Sequence, residues 1–427
     1  MVNKTNNNIF QYKKDYELSE YIEMCNQFAG LKLPLINSLP INVVCADYIF
    51  AISNKKIRMG FKFVLRRILG SVFRYKIVKV KQGDSNIAFL FTGDGNIRPD
   101  YIDALYSASN QINSDVFVLD RSKYKFSVYD LRGLFLILLW YIRLNKIIKD
   151  RSISIDMAAQ LFKSINNAKF IKKKLDKENS KGIIDFCDHW SIDAVLIQLL
   201  NQDKYQTATL QHGNGAEIFP FSCSKYFLCN SNLSVEVAKK CGLNNDRLIC
   251  LGPMKYAGKS FEYKTGNRFK TMGVVFDGLN DFLSNIEMLK IAHYLNTVMN
   301  IECLVRFHPS NNKADYEDYL NISDVVCEDI KEFEKKIDFA IVCKSTLLTD
   351  FLYTKQIVFK YVIGEEFNDR FTGMQFSTQD QLENLIINGI QDNNVCIDSQ
   401  HRIRNELFGE SVTSESYQIF FEDYLSM

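Results

Sequence analysis

Three polar clusters stand where apolar, strand-like runs of the chain stop. Gln211-His212-Gly213-Asn214-Gly215 follows "TATL", Arg306-Phe307-His308-Pro309-Ser310 closes "ECLVRFHPS", and Lys344-Ser345-Thr346 follows "DFAIVC". A histidine at the carboxyl end of a strand is suited to general-base work near neutral pH, and flanking glycines such as Gly213 let a ligand approach the backbone closely. His212 reads equally well as such a base and as a turn residue bonded to nearby backbone. His308, as imidazolium, could bind a phosphate or protonate it on departure, with Pro309 fixing the backbone after it. A half-exposed histidine in a turn is the plainer alternative. Ser345 can cap a helix starting near Leu347, and its hydroxyl, that of Thr346 and the freed N–H groups would make an anion site. Capping alone would also account for them. Asp350, one turn further on, either bonds a ribose or faces solvent. Asp277-Gly278 ends "MGVVFDG" and Asp188 ends "GIIDFCD", so either acid could line a cleft; Asp94 in "TGDG" is a weaker candidate of the same kind.

Strand and helix patterns alternate around these clusters. One series runs from "NIAFLF" at Asn86 to "RLICLG", and a second restarts after Gly252 with strands at 272–278, 302–309, 338–345 and 356–363. Helical patterns fit between them at 281–298, 314–320, 330–336 and 346–354. Two successive β-α-β series with apolar strands predict an α/β chain of two parallel sheets, each covered by helices on both faces. Ligands of such sheets bind at the carboxyl ends of strands, where all three clusters fall. The expected organisation is an N-terminal helical extension over 1–80, a first Rossmann-like domain over 81–252 and a second over 253–427. The C-terminal helix is free to return to the first domain.

The 427 residues exceed what one ordinary core organises, and a formal net charge of +2 gives no global pull towards nucleic acid. The eleven cysteines form no Cys-x-x-Cys pair, which argues against zinc and for reduced thiols. The run "GLFLILLWYI" at 133–142 is about half a bilayer span and reads as a buried helix or one that dips into an interface. Residues 55–81 carry ten Lys or Arg and no acid. As a helix, Arg58, Lys62 and Arg66 would repeat on one face, with Phe61, Val64, Leu65, Ile68 and Leu69 on another. That pattern suits a helix on an anionic membrane surface or a core helix with a solvated basic face. No nucleic-acid-binding motif accompanies the charge.

In their order, "LQHG", "YFLCNS…GLNNDRLICLGPMKY", "RFHPS" and "CKSTLLTDF" resemble the bacterial surface-polysaccharide glycosyltransferases of the GT-B type. The resemblance spans about residues 180–355 and is nearest to the sialyltransferase, polysialyltransferase and capsule Kdo-transferase group. It implies two Rossmann-like domains facing a cleft and an inverting, metal-independent transfer from a nucleotide-sugar, with a CMP-sugar as the first expectation. The acceptor would be a growing capsule or O-antigen glycan, and a lipid-linked one would suit the basic segment. The implied setting is the bacterial cytoplasm, peripheral at the inner membrane. On this resemblance His308, Ser345 and Thr346 hold the donor phosphate. The family's base is usually an acid in an acid-acid-Gly motif. This chain has Gln211-His212-Gly213 there, which makes His212 the first candidate, with Asp188 and Asp94 behind it. Polyol-phosphate polymerases of teichoic-acid type share a His-Gly, His-Pro and Ser-Ser plan, and a non-catalytic partner of the same fold is the other alternative. No Asp-x-Asp occurs, so a metal holding the diphosphate is not indicated.

Overall fold

A computed structural model of the chain describes residues 18–33, 44–46, 48–49, 61–91, 106–126, 133–185, 191–203, 205–211, 223–240, 242–263, 269–278, 281–309, 311–320, 325–363, 368–413 and 415–425. The chain divides into two compact units. Unit 1 holds Met1–Cys229, Ser234–Ile249 and Tyr417–Met427; unit 2 holds Asn230–Leu233 and Cys250–Ser416.

The sheet of unit 1 has the order β1-β3-β2-β4-β5-β6-β7. Its strands are β1 (Phe73–Lys81), β2 (Ile87–Phe91), β3 (Asp115–Phe126), β4 (Gly182–Asp185), β5 (Gln206–Leu210), β6 (Tyr226–Cys229) and β7 (Leu248–Cys250). From β3 to β6 the pairing is parallel, whereas β1 joins β3 antiparallel. Strand β2, the first of the parallel set, has β3 on one side and β4 on the other, a doubly wound arrangement. The C-terminal stretch contributes to this unit: Phe421 packs edge-on against Phe89 and Phe420 against Tyr226.

Two expectations for the N-terminal region change. The basic segment is not one helix. It divides into a helix, Phe61–Ser71, and strand β1, within the described part of 55–81. Alternation explains the strand: Tyr75 and Ile77 are buried while Lys76 and Val80 are exposed. The helices before residue 80 also share the core of unit 1, where Met24, Cys25 and Phe28 cluster with Leu90 and Phe117.

The sheet of unit 2 is wholly parallel, in the order β10-β9-β8-β11-β12-β13. The strands are β8 (Thr271–Val275), β9 (Glu302–Arg306), β10 (Val325–Val326), β11 (Phe339–Val342), β12 (Ile357–Tyr361) and β13 (Gln375–Phe376). Numbered within the unit this is 3-2-1-4-5-6, the Rossmann order, so the strand order reverses between β8 and β11. Helices Phe282–Met299, Ile330–Lys336 and Leu347–Tyr353 fill three of the expected positions, and a 3₁₀ turn, Lys313–Tyr319, fills the fourth. The α/β class with two Rossmann-like units is therefore present in the strand orders themselves.

Candidate functional site

The crevice at a strand-order reversal is where a doubly wound sheet binds its ligand. In unit 2 it lies between the carboxyl ends of β8 and β11, with β9 next to β8. Asp277-Gly278 follows β8, Phe307-His308-Pro309 follows β9, and Cys343-Lys344-Ser345-Thr346 follows β11. The fold thus gathers the second and third polar clusters, with Asp277, at one end of one sheet.

Hydrogen bonds tie the three loops together. Both carboxylate oxygens of Asp277 accept the Lys344 N–H, at 3.1 and 3.0 Å. The Asp277 N–H donates to Asn285 Oδ1 at 2.8 Å, and Asn285 Nδ2 donates back to the Asp277 carbonyl at 3.2 Å. The same Nδ2 donates to Tyr316 Oη at 3.0 Å, and Asn311 Nδ2 reaches that hydroxyl at 3.3 Å. Asn311 Oδ1 then accepts the His308 N–H at 2.9 Å. One chain of polar contacts therefore runs from the β11 loop through Asp277, Asn285, Tyr316 and Asn311 to His308. Tyr316 is buried among Phe276, Phe282 and Phe307.

The Asp277 side chain braces the crevice through the Lys344 N–H. Only 2 % of the residue is exposed, and burial pushes its carboxyl above the usual range against the opposing Lys344 N–H. Burial likewise pushes the Cys343 thiol up to about 12, which keeps it protonated at neutral pH. The Lys344 ammonium is held by Asp281 at 2.8 Å, and that bond raises its pKa. Ser345 Oγ accepts the Leu347 N–H at 3.3 Å, while Thr346 begins the helix with αR geometry and no side-chain cap bond. His308 is half-buried and Pro309 exposed.

Asp350 neither faces solvent nor keeps both carboxylate oxygens for a ribose. It is buried, and Lys255 Nζ holds Oδ2 at 2.5 Å. Lys255 belongs to the "LGPMKY" segment, whose Tyr256 stacks on Tyr353 and donates to Glu334 Oε1 at 3.2 Å. Burial raises the pKa of Glu334, opposed by Lys255 and Arg306. Asn285, Asn311, Tyr316 and Glu334 escaped the motif reading, whereas Lys255 lies within the quoted "LGPMKY" segment without a role there. Asn285 shows only as a polar residue in an otherwise apolar helix, and Asn311, Tyr316 and Glu334 lie in polar stretches that single none of them out.

In unit 1 the strand order reverses between β2 and β4, which pair through Leu90 and Asp185. Asp185 is fully buried at the carboxyl end of β4. Asp94 and Asp188 come three residues after Phe91 and Asp185, and His212 and Gly213 follow Gln211; Asp94, Asp188, His212 and Gly213 lie outside the described residues. Gln211 is buried, and its N–H donates to the Leu228 carbonyl at 3.0 Å. Among the described residues no group of three His, Cys, Asp or Glu side chains is placed to hold a metal.

No family model matches the chain, and no curated protein matches it. Solved structures do. MnaA of S. aureus with UDP is 11 % identical over 79 % of this chain and 96 % of its own, with a TM-score of 0.47. The UDP-GlcNAc 2-epimerase of Neisseria meningitidis bound to UDP-GlcNAc is 10 % identical over 80 % of this chain and all (100 %) of its own, at 0.47. The lipopolysaccharide outer core galactosyltransferase WaaB is 10 % identical over 79 % and 99 %, at 0.44. Likeness at this level assigns neither an activity nor a ligand, and the Rossmann-like character of both units stands on their own strand orders.

Proposed function

We propose that the chain is a glycosyltransferase that takes its sugar from a nucleotide-sugar bound at the strand-order reversal of unit 2. The observation that supports this reading is the chain of polar contacts joining the β8, β9 and β11 loops, which ties together the backbone of the loops that bear His308, Ser345 and Thr346. Preset donors stabilise developing charge without reorganising during the reaction. In the proposed step the acceptor oxygen bonds to the anomeric carbon while the bond from that carbon to the donor phosphate oxygen breaks. His212 takes the acceptor proton, and His308, Ser345 and Thr346 receive the negative charge that stays on the nucleotide. A CMP-sugar is the first donor to test, because His308 and the Ser345-Thr346 pair match the motif resemblance. The acceptor is proposed to be a surface-polysaccharide glycan.

The test is release of nucleotide from CMP-, UDP- and GDP-sugars in the presence of glycan acceptors, with the product identified by mass. We expect turnover with one nucleotide class, and a fall of about 100-fold or more for His212→Ala, within the range attributed to general-base catalysis. Turnover that survives a chelator would agree with charge stabilisation by His308 and the hydroxyls alone. Transfer of a polyol phosphate from a CDP-polyol would replace this reading with the phosphotransferase. Full turnover in both His212→Ala and His308→Ala would remove both histidines from the mechanism.

A further inference from the structure

The helical layer of unit 1 carries a surface that the proposed transfer does not use. The helix Gly133–Ile148 buries Ile137, Trp140 and Leu144 but leaves Phe135 64 %, Leu138 50 % and Ile142 48 % exposed. These three fall on one helical stripe, and Lys146 continues it. The helix holds Arg143 and Lys146 and no acid. The helix Phe61–Ser71 shows the same mixture. Among its described side chains Lys62, Leu65, Arg66 and Leu69 are exposed, so Leu65 and Leu69 share the basic face and do not pack inward as the sequence pattern suggested.

Both helices flank the long helix Arg151–Lys177. Phe162 would meet a side chain at Gly133 and packs on Trp140, whereas Asp156 pairs with Arg67 at 3.7 Å. Arg151, Lys169, Lys173 and Lys177 of that helix are exposed. Asp176 is the one exposed acid of the three helices, and it is bound by Lys172 at 2.9 Å and by the Tyr205 hydroxyl at 2.6 Å. No described helix is long and apolar enough to cross a membrane.

We propose that this layer docks on an anionic lipid surface. Exposed Leu65, Leu69, Phe135, Leu138 and Ile142 enter the headgroup region while the surrounding lysines and arginines meet lipid phosphates. Apolar insertion and attraction to anionic lipid act together in such interfacial binding. A soluble acidic partner would account for the charge but gains nothing from the isolated apolar stripe beside it, so the lipid is the occupant that fits both observations.

The experiment is co-sedimentation of the full chain with phosphatidylcholine vesicles, with and without phosphatidylglycerol, at low and high salt. Binding is expected only with phosphatidylglycerol and to weaken with salt. Phe135→Ser with Ile142→Ser, and separately Lys169→Glu with Lys173→Glu, should each reduce vesicle affinity by roughly tenfold. All four positions are exposed, so unchanged thermal melts serve as the folding control. Absence of binding to anionic vesicles, or binding that ignores both variants, overturns the proposal. A solution dimer that Phe135→Ser with Ile142→Ser dissociates, without vesicle binding, assigns the face to a second copy and overturns it too.

Discussion

Tyr316 belongs to no motif, yet its hydroxyl is where the Asp277 and His308 loops meet through Asn285 and Asn311. Tyr316→Phe keeps the ring packing against Phe276 and removes the shared acceptor. The buried Asn285 amide and the half-buried Asn311 amide then lose a partner, at a cost of about 1–3 kcal/mol. We expect that loss in urea denaturation, together with weaker nucleotide binding, because His308 loses its fixed backbone. Asp277 separates a similar pair of effects. Asp277→Ala strips the Lys344 N–H of its acceptor and should destabilise by about 1–3 kcal/mol, whereas Asp277→Asn retains an acceptor oxygen and should lose less. The same denaturation series tests both. At this scale the sequence exposed the residues that sit in strand-end clusters: His308, Ser345, Thr346 and Asp277. It concealed their supports, because a buried Asn or Tyr acquires its meaning from neighbours remote in sequence. Lys255 and Asp350, paired across 95 positions, show the same limit.

Elements were legible where periodicity runs long enough. The helix Phe282–Met299 and strands β8, β9, β11 and β12 lie close to the expected spans. Strands β10 and β13 are two residues each, too short to show a period. The basic segment misled because its later charges fall in two alternating pairs, Arg74 with Lys76 and Lys79 with Lys81, a spacing that β1 uses and a helix would not. Close packing at element crossings gives a further prediction. Gly273 in β8 leaves no room for a side chain, since an added Cβ would meet Phe333 at 2.5 Å and Ile337 at 3.0 Å. Gly273→Ala should therefore destabilise by about 1–3 kcal/mol, measured by denaturant unfolding. The end of the helix Arg151–Lys177 supplies a pH effect. Lys174 and Lys79 hold Glu178 and depress its carboxyl pKa. A depressed acid contributes stability above its unfolded value, about 4.3, that is lost as pH falls through the folded value. Glu178→Gln should cost less than about 1 kcal/mol at neutral pH, because the pairs are partly solvated. The variant should also lose less stability than the parent between about pH 5 and 3, read from melts across that range.

At the scale of the whole molecule, the two β-α-β series announced two parallel sheets, and both are there, the first with β1 added antiparallel at its edge. The sequence pattern did not reveal the partition of the chain. The expected boundary at residue 80 falls within β1, and Tyr417–Met427 belong to unit 1 through aromatic contacts, the return that the sequence leaves open for the C-terminal helix. Strand order was also hidden, since it depends on which apolar runs become neighbours. That order is what turns the scattered Asp277, His308 and Lys344–Thr346 loops into one crevice in unit 2. The central claim is that this crevice binds a nucleotide. Its most direct test is thermal unfolding of the wild type and His308→Ala with CMP, CDP, UDP and GDP. A ligand that binds the folded state alone adds about 2.7 kcal/mol of stability at 100 times its Kd. The account predicts a rise in Tm with one nucleotide class that His308→Ala largely abolishes. No rise with any of the four, or a rise that His308→Ala leaves intact, would contradict it.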